Sequence, residues 1–102
     1  MNVIRISRGV FAPRDHETVK ARLVAADAAL APELKKLRGL RHYWAGIDAA
    51  SGTLVNVSVW SSLADARQMD SLPAMQDLAR EFMALGVTFE RPIINYEMAW
   101  ER

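Results

Sequence analysis

From Thr53 the chain reads TLVNVSVW, and Val55, Val57 and Val59 alternate with Asn56, Ser58 and Trp60. Period two puts the valines on one face of a strand and the amide, hydroxyl and indole on the other. On an edge strand the polar face would meet water. On a central strand Asn56 and Ser58 are buried and need partners. Residues Val3 to Arg8 alternate branched apolar and polar side chains before Gly9, which predicts a first strand. After Pro13, Val19, Leu23, Ala26 and Leu30 recur at three- and four-residue spacing, which predicts a helix capped by Asp15. Pro32 is expected to break it or start a new turn, with Glu33 to Arg38 as a short helical extension ended by Gly39.

LRHYWAGID, from Leu40, reads as a second strand, and AASG forms the loop of a hairpin with the Asn56 strand. Ser62, with Asp65 three residues on, opens a second helical region that restarts at Ser71 and Pro73. Its apolar stripe is Met75, Leu78, Phe82 and Leu85, and Gly86 ends it. The last run, VTFERPIINYEMAWER, is strand-like, long for one strand and interrupted by Pro92.

The predicted order is strand, helix, strand, strand, helix, strand. That is the α+β, ferredoxin-like βαββαβ arrangement, a four-stranded antiparallel sheet with its helices on one face and its first and third strands in the middle. Residues 1–102 are expected to form one domain. The bare sheet face then calls for a second subunit, and Tyr96, Met98 and Trp100 are expected at that contact.

Composition sharpens this picture. A hydrophobic fraction of 51% points to apolar surface covered by another chain. Thirteen basic and twelve acidic residues give a net charge of +1 with no basic stripe, so neither nucleic acid nor a membrane surface is an expected partner. The chain has no cysteine, which removes disulfides and thiolate chemistry and suits the cytoplasm. MNVIRISRGVF has scattered charges and is expected to fold rather than to act as a leader or a span.

Asn56 and Trp60 share a face roughly 13 Å apart along their strand, leaving room for a flat pocket with an amide and an indole N–H as donors. Against this stands the plainer reading that Trp60 caps the core and Asn56 bonds a neighbour. Arg41, His42, Tyr43 and Trp44 are the densest titratable and aromatic cluster, on the strand paired with Asn56. A four-residue loop turns Arg41 and Tyr43 toward Asn56, and a loop one residue longer or shorter turns His42 and Trp44 there. His42 is a candidate general base because an imidazole titrates near neutral pH. Ser58, Met75 and Phe82 are candidate substrate contacts beside Tyr43 and Trp44, with core filling as the default for the methionines. The carboxylates are dispersed, giving no acid/base dyad and no metal ligand set, and GxSxG, P-loop and GxGxxG motifs are absent.

The stretch from Gly39 through VSVWSSLADARQMDSLPAM resembles the antibiotic biosynthesis monooxygenase (ABM)-like family of dimeric α+β barrel proteins, in which the third strand ends in Trp before a Ser-rich helix start. The element order agrees over essentially the whole chain. In the aromatic-polyketide branch the resemblance implies an Asn four residues before that Trp, as at Asn56 and Trp60. It further implies a cofactor-independent monooxygenase acting on a phenol or quinol, with a homodimer through the open sheet face and a small aromatic ligand. Asn56, Trp60 and His42 are then the catalytic candidates. The family commonly has a histidine early in the second helical region, where this chain has Gln68 and Met69. The alternatives are a noncatalytic ligand-binding or structural dimer and, lower, a haem-binding or haem-degrading protein. That last branch needs a histidine near Leu78 and Ala79, and no histidine follows His42.

Overall fold

The computed structural model describes residues 1–102. Its strands are β1 (Val3–Val10), β2 (Leu40–Asp48), β3 (Thr53–Trp60), β4 (Thr88–Phe89) and β5 (Ile94–Glu97), and its helices are α1 (His16–Leu34), α2 (Leu63–Ala66) and α3 (Pro73–Ala84). Short 3-10 turns at Pro13–Asp15 and Arg67–Ser71 lead into α1 and link α2 to α3. The sheet order is β2-β3-β1-β4, with β5 also on β1 and every pairing antiparallel. The α+β, ferredoxin-like reading therefore holds, with β1 and β3 central.

The sheet has five strands rather than four. The final run divides around Pro92, which has no N–H to give to a ladder, and both halves pair with β1. Two helix boundaries also differ from expectation. Asp15 makes no capping bond, because the preceding 3-10 turn leaves it at φ −92°, ψ 3° rather than in the extended conformation a cap requires. Pro32 does not break α1, which runs to Leu34; Ala28, whose carbonyl loses its partner, is exposed to water.

Ser62 does cap α2, accepting from the Asp65 N–H at 3.1 Å. Gly39 and Gly86 take φ of 74° and 92° at the exits of the helical segments, a conformation that costs a residue with a Cβ.

Register decides which face each residue occupies. Asp48 pairs with Thr53 across a four-residue loop, so Tyr43, Ala45 and Ile47 share a face with Ser58, Asn56 and Leu54. The same rows continue into β1, where Arg5 pairs with Ser58 and Ser7 with Asn56. The helices cover this face. The opposite face carries Ile4, Ile6, Val55 and Val57, half-buried, and Trp44, Ile94 and Tyr96, each roughly half exposed.

Two apolar clusters hold the helices to the sheet. One joins Phe11, Val19, Ala26, Leu30, Leu54, Leu78, Phe82 and Val87, and the other joins Val3, Trp60, Ala66, Met69 and Leu72. The sheet residues between them are Arg5, Ser7, Asn56 and Ser58. Polar side chains in the middle of the covered face give the helices no apolar surface to close on, so the core is split there.

Candidate functional site

A cavity of about 180 Å³ lies at that split, between the sheet and the α1 and α3 helices. Its floor is Arg5, Ser7, Tyr43, Ala45, Asn56 and Ser58. Leu23, Ala26, Leu30 and Leu34 of α1 form one wall, and Met75, Leu78, Ala79 and Phe82 of α3 form another. Met69, Phe89 and Ile93 close the ends, and the charged Asp27 and Arg91, both exposed, stand at the edge. The walls are apolar and the polar groups come almost entirely from the sheet, the usual build of a small-molecule site.

Asn56 faces the cavity from β3. Its carboxamide lines the cavity and bonds no group of the protein. Tyr43 also faces the cavity from β2, and its hydroxyl has no hydrogen-bond partner. Burial pushes that hydroxyl from its usual 10.0 up to about 12, against the opposing pull of the Arg5 charge. Tyr43 is therefore a neutral O–H donor at physiological pH and does not act as a base.

Trp60 is fully buried and is not part of the lining. It packs in the cluster of Val3, Ala66, Met69 and Leu72, and its indole N–H donates to Ser58 Oγ at 2.8 Å. The expected flat pocket between Asn56 and Trp60 is thus corrected: Ser58 stands between them and reaches the cavity in place of the indole. Ser58, Met75, Phe82 and Tyr43 line the space.

His42 and Trp44 are not brought to the cavity. The four-residue hairpin loop turns them to the other face of β2, where their rings stack 5.2 Å apart. Arg41 is also displaced, because a bulge between Leu40 and His42 leaves it without a cross-strand partner. His42 borders a separate shallow groove with Leu37 and Arg41. No cluster of three His, Asp or Glu side chains forms a metal-holding group.

Arg5 was not anticipated. It is only 6% exposed, and its guanidinium donates to Asp70 Oδ1 at 2.7 Å and to Asn95 Oδ1 at 3.4 Å. The available signal was its position in VIRIS, the polar member of an alternating strand that the topology places at the sheet centre. A charge there cannot be solvated on either face.

The chain has the fold of the ABM-like proteins. It superposes on the structure of a candidate antibiotic biosynthesis monooxygenase from Deinococcus radiodurans with a TM-score of 0.73 at 19% identity, covering 98% of this chain and 95% of that one. SnoaB, a cofactor-independent oxygenase from Streptomyces nogalater, matches with a TM-score of 0.62 at 20% identity over 98% and 95% of the two chains. Rv0793 from Mycobacterium tuberculosis matches with a TM-score of 0.64 at 20% identity over 100% and 97%. No family model and no curated protein sequence matches the chain. No helix is long and apolar enough to cross a membrane.

Proposed function

We propose that this chain is a cofactor-independent monooxygenase acting on a phenolic or quinol-type small molecule, and that it works as a homodimer through the open sheet face. The observation that carries the reading is the pair of unpartnered donors, the Asn56 carboxamide and the Tyr43 hydroxyl, facing an apolar-walled cavity. Both side chains are half-buried, and with no protein group bonded to either amide or hydroxyl they are open to a ligand in the cavity. The fold shared with SnoaB supports the chemistry.

In that chemistry the substrate supplies the electrons. A phenol loses its proton, and the electron-rich ring reduces dioxygen. One oxygen atom forms a new C–O bond at a ring carbon that gives up its hydrogen. The O–O bond then breaks and the second oxygen leaves as water, so phenol and dioxygen become quinone and water. Asn56 donates to the oxygen on which charge develops, and Tyr43 adds a second neutral donor. Met75 and Phe82 hold the ring and exclude water. Ser58 contacts the substrate, and Trp60 acts through Ser58. His42 and Trp44 pass from the site to the proposed dimer face.

A second reading, a dimer that binds the ligand without turnover, is favoured by one observation: neither a histidine nor a carboxylate other than the exposed Asp27 lines the cavity. Oxygen uptake by the purified protein with a panel of single- and double-ring quinols and phenols separates the two. Uptake above autoxidation that falls at least tenfold in Asn56→Ala supports the oxygenase, as loss of a donor to developing charge commonly costs about 10²-fold or more. Binding without uptake supports the second reading.

A further inference from the structure

We propose that Arg5 and Ser58 form an oxyanion-holding end of the cavity, and that the ligand class is a one- or two-ring aromatic carrying an ionised phenolic oxygen. This deepens the reading of the cavity as a ligand site and does not depend on turnover.

Arg5 stands in one row across the sheet, Tyr43 to Ser58 to Arg5 to Asn95, each the cross-strand partner of the next. Neighbours in such a row lie about 5 Å apart, so groups from adjacent strands can converge on one ligand atom. Of the five N–H groups of a guanidinium, two are taken, by Asp70 and Asn95. The others remain for the cavity that Arg5 lines. Asp70, the only carboxylate paired with Arg5, has a side chain that is 59% exposed. Its charge is shared with water, while the arginine is held inside, so the compensation is incomplete at the cavity.

Ser58 is 3% exposed, and its oxygen already accepts from Trp60. Its own proton has no acceptor in the protein, which leaves the hydroxyl free to donate into the cavity. The charged and titratable groups lining the space are Arg5 on β1, Tyr43 on β2, Asp27 on α1 and Arg91 after β4, and α3 contributes none. With Asp70 on Arg5 the nearby charges balance, two cations to two anions, and because Asp70, Asp27 and Arg91 are exposed to water it is the buried Arg5 that favours a negatively charged occupant. With no buried base present, ionisation is driven by the cation: an adjacent guanidinium lowers an acid's pKa by about one to three units. The size is consistent, because a dry cavity of about 150 Å³ holds benzene.

Para-nitrophenol tests this directly, since its ionised form is yellow and its neutral form is colourless. Titrated with the full-length protein below the free dye's own pKa, it is expected to turn yellow on binding, with a bound pKa at least one unit lower. Arg5→Gln abolishes that shift, weakening anion binding by about tenfold or more. Asp70→Asn removes the competing carboxylate and enlarges the shift, a gain that a misfolded protein cannot mimic. A bound dye with an unchanged or raised pKa, or equal binding of the neutral para-nitroanisole, overturns the oxyanion assignment while the cavity stands as a ligand site. Tighter displacement by benzoate than by nitrophenolate overturns the phenolic class in favour of a carboxylate. Failure of every probe to bind overturns both the assignment and the reading of the cavity.

Discussion

Trp60 donates its indole N–H to the Ser58 hydroxyl two residues back on the same face of β3. The bond joins the Trp60 core cluster to the cavity floor: Trp60 is sealed against α2 and the turn after it, and Ser58 is the atom that reaches the ligand space. An indole that looks like a stacking surface in the sequence instead acts as the support of a smaller group.

This pair predicts strong coupling. Ser58→Ala leaves a buried indole N–H without an acceptor and should cost about 1–3 kcal/mol. Trp60→Phe removes the donor and part of the ring volume and should cost about 2–4 kcal/mol. The double variant should cost less than the sum, because the N–H left unpaired by the first change is absent after the second. Urea denaturation of all four proteins measures the cycle, and strict additivity would show that the bond contributes nothing.

Asn56 should behave in the opposite way. Its amide bonds nothing in the protein, so Asn56→Ala should change stability by less than about 1 kcal/mol while weakening aromatic ligands. Denaturation and ligand titration on the same preparation check both halves. A large loss of stability would place Asn56 among the supports of the fold.

The contrast between these residues explains how much was legible. Alternation in TLVNVSVW and VIRIS, with the AASG loop, was enough for the strands, their central placement and the hairpin partners. It also placed Asn56 and Ser58 on a face of their own. The choice between Tyr43 and His42 turned on one loop residue, and only the Asp48–Thr53 pairing resolves it. The bulge that releases Arg41 leaves no local mark in LRHYW. Arg5 was hidden for another reason. In a strand read alone, an arginine between isoleucines reads as a solvent-facing position, and its burial follows from the α1 and α3 helices that later parts of the chain lay over it. For Trp60 the core-capping and pocket readings both stayed open, because spacing gives the face of a strand but not which helix covers each end of it.

Tyr43 carries a pH dependence of defined sign. Its hydroxyl titrates at 10.0 when unfolded and at about 12 when folded, so the folded state holds the proton more tightly between those values. The stability associated with it is fully present below pH 10 and is lost as pH rises through about 12, a loss on the order of 2 kcal/mol. Tyr43→Phe should flatten that part of the profile. Denaturation midpoints taken from pH 8 to 12 for both proteins test it, and parallel curves would show that the Tyr43 hydroxyl is not desolvated.

Ile4, Ile6, Val55 and Val57 run across β1 and β3, and Trp44, Ile94 and Tyr96 extend the apolar surface to both edges. The helices lie on the other side, so no helix of this chain layers this surface. The proposed homodimer buries it against a second copy. Val57 is central in that surface and only half-buried in the single chain, so a lysine there can extend into water in the monomer but is trapped without a partner in the dimer. Val57→Lys should therefore convert a particle of twice 11.4 kDa into one of 11.4 kDa by light scattering, with its helical and strand signals unchanged. Wild-type protein that is already monomeric at high concentration would remove the dimer and leave the apolar face without a partner.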